Sequence, residues 1–86
     1  MDQEPARLRL LRRADCGLCE DMARDLRRLH VSFDEVDIEQ DATLERAYGE
    51  SIPVLLLGTR EVARAPQSEP SLRQALIRAG LISALR

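Results

Sequence analysis

The sequence predicts an α/β domain of order β-α-β-α-β-β-α, and three observations carry that expectation. Cys16-Gly17-Leu18-Cys19 stands between an apolar run with strand alternation and a helical pattern. Ser51-Ile52-Pro53 directly precedes the continuous apolar run Val54-Leu55-Leu56-Leu57. Near the end, Leu72, Ala75, Leu76 and Ala79 fall at i, i+3, i+4 and i+7, the spacing of a buried helical stripe.

The elements follow in order. Residues 1–6 read as a frayed tail. Residues 7–12 read as a strand, with Leu8 and Leu10 on one face and Arg7 and Arg9 on the other. The first helix is expected over residues 17–29, where Leu18, Met22, Leu26 and Leu29 form a stripe that Ala23 widens, and Glu20 and Arg24 make an i,i+4 pair. His30, a full helix length from the thiols, reads as a cation at the helix C-terminus rather than a catalytic base. Residues 31–38 read as the second strand, which a single crossover helix makes parallel to the first, with right-handed connection. Asp41 is placed to cap a short helix carrying Leu44, Ala47 and Tyr48 and ended by Gly49.

Pro53 lacks an N–H and so suits the first residue of the third strand. Gly58-Thr59 signals a turn into an antiparallel fourth strand over residues 60–65, which Pro66 stops. Ser68 or Glu69 caps the last helix, Pro70 fits its first turn, and Gly80 ends it. Leu81, Ile82 and Leu85 form an apolar tail expected to pack on the chain's own core. At 86 residues this is one domain, residues 1–86.

The chain has two cysteines and one histidine. A zinc site takes about four ligands, so a metal site within one chain is not expected. An i,i+3 disulfide closes too short a loop to stabilise much by constraining the unfolded chain. A free cysteine can also simply pack as a small hydrophobe. The position favours redox chemistry instead. A strand feeding a helix through C-x-x-C puts Cys16 at the helix N-terminus, where unpaired N–H groups and the dipole favour a thiolate, and puts Cys19 one turn along. Arg12, Arg13 and the helix end favour that charge; Asp15 opposes it with a contribution of similar size.

Net charge is only −2, all thirteen basic residues are arginine, and Phe33 and Tyr48 are the only aromatics. Neither nucleic-acid binding nor a base-stacking platform is expected. Arg7, Arg9, Arg12 and Arg13 read as a solvated strand face with charges flanking the thiols. Asp34, Glu35, Asp37, Glu39 and Asp41 read as a solvated face rather than a metal cluster. No apolar stretch approaches the ~18 residues of a membrane span, and the acidic N-terminus lacks a signal peptide's hydrophobic segment. A cytoplasmic location is expected, where disulfides tend to be transient and catalytic.

This order, with Cys16-x-x-Cys19 opening the first helix and Ser51-Ile52-Pro53 opening the third strand, resembles the thioredoxin fold in its minimal glutaredoxin-like form. The likeness spans essentially the whole chain. It is most similar to small bacterial glutaredoxin-like proteins, which share segments like Cys-x-Leu-Cys-Glu and Tyr-Gly-x-x-Ile-Pro-Val-Leu. The resemblance implies a four-stranded mixed sheet of order 2-1-3-4, with helices 1 and 3 on one face and helix 2 on the other. It implies that Cys16 is the nucleophile and Cys19 the resolving thiol, that Pro53 is cis, and that the Ile52 backbone pairs with an extended substrate strand. Arg13 matches the basic residue that glutaredoxins direct at the glutathione carboxylate.

The departures bear on substrate. Gly17-Leu18 replaces the usual Pro-Tyr of glutaredoxins, and Asp15 stands where thioredoxins carry Trp. The glycine pair and acidic residue that hold glutathione's other end are replaced by Ala65-Pro66-Gln67-Ser68. The expected activity is therefore dithiol thiol–disulfide exchange on protein or low-molecular-weight disulfides by a monomer. No bound cofactor is expected, glutathione is at most a weak co-substrate, and a thioredoxin-reductase or glutathione system donates electrons. The alternative is a non-catalytic interaction module, or a dimer holding an iron–sulfur cluster through Cys16.

Overall fold

The computed structural model describes residues 7–65 and 68–84. The expected tail, the stop at Pro66 and the apolar Leu85 lie outside the described residues. Among these residues, β1 (Leu8–Arg12), β2 (Asp34–Asp37), β3 (Val54–Leu57) and β4 (Arg60–Arg64) form one sheet of order β2-β1-β3-β4. β1 runs parallel to β2 and antiparallel to β3, and β3 is antiparallel to β4. Helices α1 (Gly17–Arg28), α2 (Ala42–Tyr48) and α3 (Glu69–Arg78) complete the predicted order and give the thioredoxin-type arrangement.

β1 and β3 are the inner strands and are covered on both faces, which is why they are leucine-rich. Leu8, Leu10 and Leu55 face one layer with Met22 and Leu26 of α1 and Leu72 and Leu76 of α3. Leu11, Val54 and Leu56 face the other with Ile38, against which Leu44 and Tyr48 of α2 pack. Leu81 and Ile82 fold back onto the first cluster, as their apolar character predicts.

The caps are those the sequence indicates. Asp41 Oδ1 accepts from the N–H groups of Thr43 and Leu44 at 3.0 and 3.1 Å, and Ser68 Oγ accepts from Ser71 N–H at 3.2 Å. Gly49 caps α2 in a right-handed conformation, so it is not required there by a positive φ. Space is the constraint: a Cβ would lie 3.2 Å from Arg13 Nη2 and closer still to the Glu45 carbonyl.

Three expectations need correction. The second strand covers Asp34–Asp37 rather than residues 31–38. β1 offers partners only from Arg9 to Arg12, and a strand ends where its partner does. Val31 is drawn back by an N–H bond to the Leu26 carbonyl, while Asp37 Oδ1 accepts from Glu39 N–H and turns the chain into a 3₁₀ turn, Ile38–Gln40. Secondly, Glu20 pairs with Arg12 and not Arg24, which instead meets Asp21 at 3.2 Å. The Arg12 side chain is only 12% exposed, and a cation that covered needs a close counter-charge. Thirdly, the acidic run is not merely solvated: Asp34 pairs with Arg7, Glu35 with Arg12 and Arg27, and Glu39 with Arg13, while Asp37 and Asp41 cap.

Candidate active site

The antiparallel register pairs Leu11 with Val54, and Val54 with Arg64. The loop from β1 to Cys16, the segment entering β3 and the exit of β4 therefore share one end of the sheet. This is how residues far apart in sequence become neighbours.

Cys16 has extended backbone (φ −117°, ψ 107°) and is the N-cap of α1. Its Sγ accepts from Cys19 N–H at 3.1 Å, taking the place of the hydroxyl or carboxylate oxygen usual at that position. Cys16 and Cys19 are joined in a disulfide, their Cα atoms 5.2 Å apart. Their surroundings differ. Cys19 is fully buried on the core face of α1, whereas Cys16 is half-buried at its end. Leu18, between them, is 53% exposed, although the sequence assigns it to the buried stripe. One residue before Cys19 on a helix is a rotation of about 100°, enough to carry it off the core face. Gly17 has open space around its Cβ position.

The Ile52–Pro53 peptide bond is cis. Pro53 is buried, and Ile52 packs partly against the Leu11 cluster. Among the described residues the Ile52 N–H and C=O make no hydrogen bond, while both neighbours are held. Ser51 N–H donates to the Tyr48 carbonyl at 2.8 Å, and Ala65 N–H donates to the Pro53 carbonyl at 3.1 Å. Arg64 Nη1 donates to Ser51 Oγ at 2.8 Å, its guanidinium fixed by two bonds of 2.6 Å to Glu61. Arg64, Glu61 and Ser51 were not among the candidate residues. Glu61 and Arg64 lie three apart in β4, but the contact from Arg64 to Ser51 spans 13 residues and leaves no local signal.

The flanking charges are more engaged than the sequence implies. Arg12 reaches Glu20 on α1 at 2.5 Å and Glu35 on β2 at 2.9 Å. The bond to Glu20 is the chief reason the Arg12 pKa is raised, and its counterpart holds Glu20 below the usual carboxylate range. Arg13 makes a two-pronged contact with Glu45 (3.0 and 2.7 Å), a bond of 3.1 Å to Glu39 and one of 3.2 Å to the Gly49 carbonyl. The Glu45 contact is the main cause raising the Arg13 pKa. Asp15 is exposed beside Cys16 with φ 57°, a left-handed position that aspartate tolerates better than most residues. Arg13, Glu45, Arg46, Gly49, Glu50 and Ser51 line a cleft of about 390 Å³ next to the Ile52 segment. Among the described residues no group of three His, Cys, Asp or Glu side chains is arranged to hold a metal ion, and no helix is long and apolar enough to cross a membrane.

A four-stranded sheet of this order, three helices and a cysteine pair opening the first of them define a glutaredoxin-like protein of the thioredoxin fold. The chain belongs to that family: residues 7–81 match the model of the "Glutaredoxin-like domain (DUF836)". The structure of target protein XcR50 from X. campestris is 39% identical, with a TM-score of 0.73 over 83% of this chain and 96% of that one. The solution structure of Ne2328 from Nitrosomonas europaea is 26% identical, with a TM-score of 0.69 over 95% and 98% of the two chains. A buckwheat glutaredoxin–glutathione complex shares the fold at 16% identity, with a TM-score of 0.60 over 91% and 83%. No curated protein sequence is similar enough to count as a match. The family fold and a Cys16–Cys19 pair at disulfide distance are compatible with thiol–disulfide exchange.

Proposed function

We propose that this protein is a dithiol thiol–disulfide oxidoreductase. In the reduced protein the Cys16 thiolate attacks one sulfur of a substrate disulfide, forming a mixed disulfide and expelling the other sulfur as a thiolate. Cys19 then loses its proton and attacks the Cys16 sulfur. The substrate leaves as a second thiol and the Cys16–Cys19 disulfide closes, so two electrons have passed from the protein to the substrate. A dithiol or reductase system must return them. The exchange needs no resident cofactor.

One observation carries the assignment of roles: Cys16 is half-buried and its Sγ accepts a helix N-terminal N–H at 3.1 Å, whereas Cys19 is fully buried. Negative charge on sulfur is stabilised at the first position, and a substrate can reach it there. The Ile52 backbone, which has no partner among the described residues, supports docking of an extended peptide, whose N–H and C=O groups would pair with it beside the disulfide.

The test is mixed-disulfide trapping. Cys19→Ser should accumulate covalent adducts with a disulfide-containing peptide, seen by intact mass, and Cys16→Ser should accumulate few. Equal trapping, or the reverse order, would reject these roles. Absence of adducts with both variants and of any disulfide-coupled oxidation in the wild type would reject the activity.

A further inference from the structure

Three arginines stand at the disulfide end of the sheet, and none is free. Arg12 is held by Glu20 and Glu35, Arg64 by Glu61, and Arg13 by Glu45 and Glu39. Arg13 is the one that matters for ligands, because it lines the cleft beside Ile52 together with Ser51. Both of its Nη atoms are bound to Glu45, with Glu39 and the Gly49 carbonyl taking further donors. A guanidinium has five N–H donors in a fixed fork. With four contacts made, little of that fork is left for an incoming carboxylate. Among the described residues, Arg46 and Glu50 make no ion pair, so the cleft's unpaired charges are one of each sign.

We infer that Glu45 is a specificity-determining residue: by occupying Arg13 it leaves the cleft next to the Ile52 segment charge-balanced, and so selects against anionic disulfides. This rests on the oxidoreductase reading and deepens it. Disulfides in neutral segments dock through backbone contacts at Ile52, whereas a ligand that needs a cation there must first break a two-pronged ion pair. Leu18, the exposed large apolar side chain beside Cys16, suits the same neutral partners.

The experiment uses pre-reduced full-length protein in single turnovers with three probes: glutathione disulfide (anionic), hydroxyethyl disulfide (neutral) and cystamine (cationic). Each turnover converts the protein dithiol to its disulfide and one probe molecule to two thiols, so no external donor enters the measurement. Glu45→Gln should raise the anionic-to-neutral rate ratio about fivefold, the upper end for a surface charge pair. It should lower the cationic-to-neutral ratio, and both changes should shrink in high salt. Adding Arg13→Gln to Glu45→Gln should cancel the anionic gain. That double variant separates release of Arg13 from a general loosening of α2, which would alter all three rates together. An unchanged or reduced anionic ratio, with neutral turnover intact, overturns this inference and leaves the oxidoreductase reading standing. Failure of the wild type with all three probes overturns both.

Discussion

The helical layer on one face of the sheet is held by apolar burial, and the layer on the other face is held largely by charge. α1 buries Cys19, Met22, Ala23 and Leu26, and α3 buries Leu72, Ala75 and Leu76. α2 buries no residue at all. Leu44 and Tyr48 are only half-buried, and the helix is anchored by the Asp41 cap and by Arg13 gripping Glu45 and the Gly49 carbonyl. The difference has a functional consequence. The segment leading from α2 to Ile52 and Pro53 hangs from the weakly buried layer, so the proposed docking edge can adjust while the α1–α3 layer keeps Cys16 and Cys19 in place. Local stability follows buried apolar contact, and here the two ends of the proposed chemistry lie on opposite sides of that divide.

Truncation in each layer is the strongest way to break this comparison. Leu26→Ala removes a fully buried side chain and should lower unfolding stability by about 2–5 kcal/mol. Leu44→Ala removes a half-exposed one and should lower it by about 1 kcal/mol. Urea unfolding of the two variants measures both. Equal losses would show that α2 contributes as much apolar stabilisation as α1 and α3.

Arg13 gives a smaller and more local effect. Arg13→Met should speed amide hydrogen exchange severalfold in α2 and leave α1 unchanged, since the side chain's bonds to Glu45, Glu39 and Gly49 all lie on that side. Acceleration of both helices alike would mean that the arginine supports the whole domain. α1 has comparable ties of its own, Arg27 to Glu35 on β2 and the Arg12–Glu20 pair under its first turn, and the sign of the second with pH is definite. Arg12 lowers the folded-state pKa of Glu20, so the pair's stabilisation is present above the ordinary glutamate value near ~4.3 and is lost as pH falls through the lowered one. Glu20→Gln should therefore be less stable than wild type at neutral pH, with the gap narrowing in acid. A gap that stays constant with pH would assign the loss to something other than this charge.

The apolar layer was the legible one. Leu26, Leu72 and Leu76 could be placed from helical spacing, Cys16 from its position between strand and helix, and the α3 cap narrowed to Ser68 or Glu69, because each signal is confined to a few neighbouring residues; the Asp41 cap of α2 was legible for the same reason. The charge-held layer was not legible in the same way. That Arg13 meets Glu45 and Arg64 meets Ser51 depends on which strands adjoin, and many acidic residues could have served. Glu20 shows the resulting error: the local rule offers Arg24, but the largely covered Arg12 takes it. The end of β2 was missed because strand length is set by the partner strand, a non-local constraint.

The smallest effect compares two helix ends that share one geometry. α1 closes with His30 N–H on the Arg27 carbonyl and Val31 N–H on that of Leu26; α3 closes with Gly80 N–H on Ile77 and Leu81 N–H on Leu76. In both, the residue after the cap is left-handed, with φ 60° at His30 and 77° at Gly80. Glycine suits that position because it has no Cβ to meet the following carbonyl, a clash worth about 1–2 kcal/mol in other residues. His30→Gly removes the clash, but the more flexible unfolded chain takes back part of the gain. The net expectation is about 0.5 kcal/mol of added stability. Gly80→Ala should move the other way by about 1 kcal/mol, and urea midpoints at unchanged slope would read both. Should His30→Gly destabilise at neutral pH, the imidazole must make a favourable contribution at the end of α1 that outweighs its backbone, and the two helix ends would be alike in bonding but not in what stabilises them.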